Sequence, residues 1–187
     1  MPLVSGKYPV RNPESLLNAG AQPRSNLPRH AVVSDFAILT SQVMLSTALY
    51  LQASDTVTSL TFKSGSTAAD TPTNWWYALY DDAATPALIG QSADQLTAAW
   101  AANTAKTLPL QAPAQITRTG IYHAAIMVKA TAPPSLLGAA TLLGAVAGYV
   151  AGDVPLTRSS GAALTTTAPA TIAAPTPVAY VPRVVAL

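Results

Sequence analysis

Proline recurs along this chain and limits the length of any regular element that the chain can form. The sequence contains 16 prolines among its 187 residues, and they cluster near both ends. Proline removes a backbone donor, breaks helices and is excluded from central strand positions. Alanine, threonine and serine are also abundant. This composition disfavours long helices and favours short strands joined by turns.

Alternating apolar patterns predict a series of such strands. In residues 120–129, Tyr122 and Ile126 would face the core, whereas His123 and Lys129 mark the opposite face as the wetter one. Strands and helices do not alternate, so a parallel α/β fold is not expected. The pattern predicts an all-β fold, an antiparallel β-sandwich or jelly roll. The other predicted strands are residues 43–51, 57–62, 75–80, 87–91 and 107–110.

Two stretches depart from the strand pattern. Residues 93–105 have a helical composition, with Asp94 or Ser92 as a cap and Trp100 as a buried anchor. Residues 136–152 carry no charge over nearly the length of a transmembrane helix. Their glycines and the lack of cationic flanks argue against a membrane span. We expect them to form buried strands or to be covered by a neighbouring subunit.

Residues 1–35 are predicted to form an extended arm with one short helix that begins after Asn12 and ends near Gly20. Within residues 1–30, four basic residues stand against one acid, Glu14, while the rest of the chain is nearly neutral. A solvated tail is one interpretation, and an arm that docks on an acidic partner is the other. The bases are too dispersed to predict nucleic-acid binding. The candidate anchoring residues are Lys7, Arg11, Leu16, Leu17, Arg24, Arg29 and His30.

Residues 36–187 form the predicted body, and residues 133–187 are its proline-, alanine- and glycine-rich part. After Pro133 only Asp153, Arg158 and Arg183 are charged. Residues 178–181 and 184–187 are candidates for edge strands of the sandwich. The alternative is a tail that runs across a partner.

Side chains suited to catalysis are scarce and scattered. The chain has no cysteine and only one glutamate, and its two histidines, His30 and His123, lie far apart. Asp81 and Asp82 are adjacent, so a strand would send them to opposite sides. No metal-ligand spacing, nucleophile elbow or glycine-rich phosphate loop is present. We therefore predict no enzyme activity, catalytic residue, metal site or cofactor, and interpret His123 as an ordinary surface or interface residue.

Two adjacent tryptophans suggest a second kind of function, which is sugar binding. In a strand, Trp75 and Trp76 face opposite ways, and only one face of a sandwich strand is required for the core. One tryptophan would then be structural, and the other is a candidate for stacking on a glycan.

Four segments of the chain resemble a known group of proteins. They are LVSGKYPVRNPESLLNAGAQPRSNLPRH, ILTSQVMLSTALYLQASDTVTSLTFKSGSTAADTPTNWWYALYD, DQLTAAWAANTAKTLPL and GIYHAAIMVKAT. Together they resemble virion structural proteins of tailed phages that infect actinobacteria, described as minor tail proteins, and related β-sandwich proteins that decorate capsids. The resemblance covers most of residues 3–135 and includes no catalytic signature.

The resemblance implies a non-enzymatic virion component on the outer surface of the head or tail. Its expected partners are the major capsid or tail protein and other copies of the chain, with a trimer as one arrangement. No nucleic-acid or membrane partner is expected. The alternative is a carbohydrate-binding module that aids attachment to the host envelope, with a glycan as its partner.

Overall fold

Two antiparallel sheets pack face to face in residues 24–187, the part of the chain that the computed structural model describes. The first sheet has the order β1 (Arg24–Ser25), β13 (Val184–Ala186), β4 (Thr56–Lys63), β7 (Ala105–Gln115). The second has the order β11 (Thr176–Pro177), β10 (Thr157–Ser160), β3 (Met44–Leu51), β8 (Gly120–Lys129), β5 (Asn74–Tyr80), β6 (Leu88–Gln91). This confirms the predicted all-β antiparallel sandwich.

A small third sheet and two short helical turns complete the described chain. The third sheet has the order β12 (Tyr180–Pro182), β9 (Leu136–Ala140), β2 (Ser34–Phe36). A 3-10 turn spans Arg29–Ala31, and the helix α1 spans Leu143–Ala147. No helix within residues 24–187 has both the length and the apolar character needed to cross a membrane.

The core between the two large sheets follows the predicted alternation. On β5, Trp75, Tyr77 and Leu79 all point into this core. Trp75 stacks on Trp100 with ring centroids 5.1 Å apart, and Phe62 meets Tyr77 edge-on at 4.9 Å. Burial of each large side chain contributes roughly 1.5–3 kcal/mol. These aromatic residues therefore hold the two sheets together.

The opposite face of the second sheet is buried as well, which corrects the prediction that it is the wetter face. Met44, Trp76, Tyr80, Met127 and Ile172 belong to a second apolar cluster there. The cover is residues 161–175, which lie between β10 and β11. Trp76 Nε1 donates to the carbonyl oxygen of Thr165 at 2.8 Å, and Tyr80 OH donates to that of Pro169 at 2.8 Å. We call residues 161–175 the cover segment.

Residues 24–36 belong to the body rather than to an arm. β1 pairs with β13, and β2 pairs with β9. Asn26 Nδ2 donates to Thr47 Oγ1 and to the Pro182 carbonyl oxygen, while Asn26 Oδ1 accepts from the Val184 N–H. The predicted boundary at residue 35 is therefore too late. Residues 1–23, with the predicted short helix, lie outside the described residues.

The C-terminal candidates for edge strands both form strands, but at different positions in their sheets. β12 is at the edge of the small sheet, as predicted for residues 178–181. β13 is not at an edge, because it lies between β1 and β4. Its Val184 and Ala186 side chains are buried in the core between the large sheets.

The helix predicted for residues 93–105 is not formed, although Trp100 is the buried anchor that was expected. Asp94 does not cap a helix. Its Oδ1 accepts from the Trp75 N–H at 2.9 Å, and its Oδ2 accepts from Asn74 Nδ2 at 2.6 Å. The loop is thus tied to β5. Leu96 and Asn103 have φ values of 51° and 54°, which a helix does not allow.

Candidate functional site

A pocket with a buried arginine lies on the covered face of the second sheet. Arg158 on β10 and His123 on β8 both line it. The strands β10 and β8 lie on either side of β3. Ser46 and Ala48 of β3 pair with Arg158 and His123 respectively, and both share the face of Met44. Because these two side chains are small, they leave space above β3 for the arginine to reach the histidine.

The contact between the two side chains determines which imidazole nitrogen carries the proton. Arg158 Nη2 lies 2.6 Å from His123 Nε2, and a guanidinium can only donate. His123 Nε2 is therefore the acceptor, and the neutral ring carries its proton on Nδ1. Arg158 and His123 are 6% and 2% exposed. Burial, helped by the Arg158 charge and opposed by Asp81, lowers the pKa of His123 to about 3.

Two donors at this contact have no partner within residues 24–187. They are His123 Nδ1 and Arg158 Nε, and both atoms are buried. No carboxylate in the described chain forms an ion pair with Arg158. Burial without such a pair lowers the pKa of Arg158 from its ordinary value. A desolvated cation without a carboxylate partner is energetically costly.

The acids around the pocket already have other partners. Asp82 Oδ1 pairs with Arg118 Nη2 at 2.7 Å. Asp153 Oδ2 accepts from the N–H groups of Tyr149 and Val150, and these bonds lower the pKa of Asp153. Asp81 Oδ1 accepts from backbone N–H groups of the loop that follows β5. Within residues 24–187, neither unpaired buried donor therefore has a carboxylate partner.

Beside the pocket, residues 142–156 form a surface that we call the apolar projection. It consists of α1 and the loop that leads to β10, and Asp153, Val154 and Pro155 also line the pocket. Leu142, Tyr149 and Val150 are 82%, 86% and 70% exposed. Leu143, Val154 and Leu156 are exposed as well. Such a concentration of large apolar side chains on a surface is typical of an interaction site.

The structure places the predicted anchoring residues in different situations. Arg24 already has partners within the body, because its guanidinium binds Asp55 Oδ1 at 2.7 Å and also Gln52 Oε1. Burial pushes the pKa of Asp55 upward, but hydrogen bonds from Arg24 and from the Gln52 N–H outweigh burial and lower it. Arg29 and His30 are exposed. The other predicted anchors, Lys7, Arg11, Leu16 and Leu17, lie outside the described residues.

The predicted glycan-stacking residues are both interior, which corrects that prediction. Trp75 is 1% exposed and Trp76 is 0% exposed, so neither ring has a face for a sugar. The Trp75 Nε1–H is bonded to the Ala98 carbonyl oxygen at 2.9 Å. The cover segment conceals Trp76, and the sequence alone gives no sign of that contact.

The prediction for His123 is wrong, and Arg158 was not predicted to belong to a site. His123 was interpreted as a surface or interface residue, yet it is buried against an arginine 35 positions away. The one available signal was the isolation of Arg158 in a tail with almost no charge. Within residues 24–187, no group of three or more His, Cys, Asp or Glu side chains has the geometry to hold a metal ion. No protein-family model matches the chain, and no curated protein matches it significantly.

Proposed function

We propose that this protein is a non-enzymatic structural component of a tailed-phage virion, on the outer surface of the head or tail. The resemblance of most of residues 3–135 to phage virion proteins supports this proposal. So does the β-sandwich fold, because the related proteins that decorate capsids are β-sandwiches. In this function, residues 1–23 anchor the protein to the major capsid or tail protein, and the sandwich packs against other copies of itself.

The observation that carries the proposal is the apolar projection. Its large side chains are exposed, whereas the three tryptophans of the described sandwich are all buried. Asp153 is the only charged residue of the projection, and its Oδ2 already accepts from the N–H groups of Tyr149 and Val150. A mainly apolar surface is complementary to itself, which suits a contact between identical subunits. A second copy of this chain is therefore the occupant that we propose.

Tyr149→Asp should shift the protein from an oligomer to a monomer, because a carboxylate would be buried without a partner in the subunit contact. We expect at least a tenfold weaker association, an effect of about 1.4 kcal/mol or more. Analytical ultracentrifugation over a range of protein concentrations measures it. Tyr50→Asp is the matched control, since Tyr50 is also exposed but lies on β3. Equal association of wild type and Tyr149→Asp would contradict the proposed contact.

Deletion of residues 1–23 should leave a body that melts like the full chain but does not join the virion. Deletion of residues 1–30 should in addition remove β1, the Arg24–Asp55 pair and the Asn26 hydrogen bonds. We expect that longer deletion to lower the free energy of unfolding by about 2–4 kcal/mol, since several part-buried bonds are lost together.

The two truncations separate anchoring from folding. Thermal unfolding of each purified protein measures stability, and quantitative mass spectrometry of purified virions measures incorporation. The full chain, carried through the same purification, is the control. Wild-type copy number in virions for the protein that lacks residues 1–23 would rule out anchoring by the arm.

A further inference from the structure

The end of the apolar projection, residues 148–153, is an ordered loop that we call the tip. Asp153 Oδ2 accepts from the N–H groups of Tyr149 and Val150 at 2.8 and 3.1 Å, and the Asp153 N–H donates to the Val150 carbonyl oxygen at 3.2 Å. Gly148 has a φ of 124°, and a Cβ atom there would lie 2.6 Å from Asp153 Cβ. This position therefore requires glycine. The backbone that carries Tyr149 is fixed, although Tyr149 itself is 86% exposed.

The base of the projection joins the tip to the sandwich. Val146 is fully buried, and its carbonyl oxygen accepts from the Leu156 N–H at 2.9 Å. The Leu156 carbonyl oxygen in turn accepts from the Ala48 N–H of β3 at 2.7 Å. A side chain on a fixed backbone loses less conformational freedom on binding than one on a loose loop, which favours a tight contact. Tyrosine is also enriched among the residues that contribute most to protein contacts.

The pocket beside the tip has the size and the lining to receive such a side chain. Its volume is about 340 Å³, and pockets that hold small molecules begin at about 300 Å³. Ala83, Ile121 and Pro155 supply apolar wall. Asp82 and Asp153 line it too, and within residues 24–187 Asp82 Oδ2 and Asp153 Oδ1 accept no hydrogen bond. An aromatic ring with a hydroxyl donor matches both kinds of wall.

The charge around the pocket favours a neutral occupant that can donate a hydrogen bond. The carboxylates of Asp81, Asp82 and Asp153 stand against the guanidiniums of Arg118 and Arg158, which leaves a net charge of −1. This charge disfavours an anion. A tyrosine hydroxyl is uncharged at neutral pH and can donate to a carboxylate without the desolvation cost of a cation.

We propose that Tyr149 of a second copy fills this pocket and donates to a carboxylate of its wall, while Tyr149 of the first copy fills the pocket of the second. The tip and the pocket belong to one patch, because Asp153 holds the tip and also lines the pocket. A twofold axis brings the same patch of two copies together, so each tyrosine meets the other copy's pocket. This inference rests on the proposed self-association through the apolar projection, and it adds the arrangement of that contact.

Two variants of the full chain each remove one half of the contact. Tyr149→Ala removes the side chain that enters, and Ala84→Trp obstructs the pocket, because Ala84 lines it and is exposed. Analytical ultracentrifugation should show each variant associating with itself at least about tenfold more weakly than wild type. Ala99→Trp is the matched control and should associate like wild type, since Ala99 is also exposed but lies in the loop that follows β6. Association of Ala84→Trp at the wild-type level would contradict the proposal.

A mixture of the two variants is the decisive test. Tyr149→Ala retains an open pocket and Ala84→Trp retains its tyrosine, so a mixed pair has one complete tyrosine–pocket contact, whereas neither variant has one with itself. We expect the mixed pair to associate at least several-fold more tightly than either variant alone. Sedimentation with a fluorophore on one variant measures this. Absence of the rescue would overturn the proposal.

The hydroxyl group is tested by Tyr149→Phe, which keeps the ring. We expect a few-fold weaker association than in wild type, because one hydrogen bond to a carboxylate is lost. Equal association of the two proteins would refute that bond.

The wild-type protein separates failure of this inference from failure of the proposed function. If wild type remains monomeric at every concentration, the subunit contact is absent and both proposals fail. If wild type associates and Tyr149→Asp weakens it, the subunit contact stands. A mixture without rescue then overturns only the placement of Tyr149 in the pocket.

Discussion

Trp76→Ala should lower the free energy of unfolding by about 3–5 kcal/mol, the usual range for removal of a buried aromatic side chain. The indole is fully buried in the second apolar cluster. It also holds the cover segment through its bond to the Thr165 carbonyl oxygen. The variant should therefore lose global stability and release the cover segment as well. Denaturant unfolding measures the first effect.

Hydrogen exchange measures the second effect, and Trp75→Ala is its matched control. In Trp76→Ala, the N–H groups of Leu164 and Ile172 should lose protection, because they bond to Gln42 and Pro86 beneath the cover segment. Trp75→Ala should destabilise the fold by a similar amount. Its cavity opens between the two sheets instead, so protection at Leu164 and Ile172 should fall only as much as global stability does. The same exchange pattern in both variants would refute a specific role for Trp76 in holding the cover segment.

Acidification from about pH 7 to about pH 4.5 should destabilise the protein by about 2–3 kcal/mol through His123 alone. Burial and Arg158 lower the pKa of His123 to about 3 in the folded protein. In the unfolded chain it is close to 6.5. Between these values the unfolded chain binds the additional proton, so stability is complete above about pH 6.5 and falls as the pH drops. Urea unfolding at several pH values, in a buffer free of carboxylates, measures this slope.

His123→Gln is the control for the pH dependence. Its amide oxygen can still accept from Arg158, but the side chain does not titrate. The charged groups near His123 are Arg158 and the three aspartates 81, 82 and 153. The pKa values of the Asp55 and Asp153 carboxylates are lowered, so the loss of stability that their protonation causes occurs only at pH values below about 4. A pH slope in His123→Gln as steep as that of wild type would contradict the assignment to His123.

The strands could be predicted because their alternation is local. In β5 and β8, every second residue enters the core between the sheets, as the sequence pattern requires. Alternation separates the two faces of a strand, but it does not say whether something distant covers the second face. Trp76 and His123 were misjudged for this reason. What covers them is more than thirty residues away and carries almost no sequence signal of its own.

The helix predicted for residues 93–105 failed for a related reason. Asp94 is a good helix cap in isolation, but in this fold its carboxylate is used by β5. Arg24 likewise looked like one member of a basic leader, whereas Asp55 and β13 draw it into the body. The pocket needs three strands to bring His123 and Arg158 together. No motif in the sequence predicts such a pairing.

The position of β13 has a consequence for the order in which the protein can assemble during synthesis. β13 lies between β1 and β4, and its three pairs with β4 run from Val184 to Ala186. Two strands so widely separated in sequence pair slowly, because the chain between them must lose conformational entropy before their contacts form. Until residue 186 is free to pair, the β4 edge that carries Leu60 and Phe62 is open. This sheet therefore closes only after β13 has been made, long after β4, and an open strand edge of this kind is a site for aggregation.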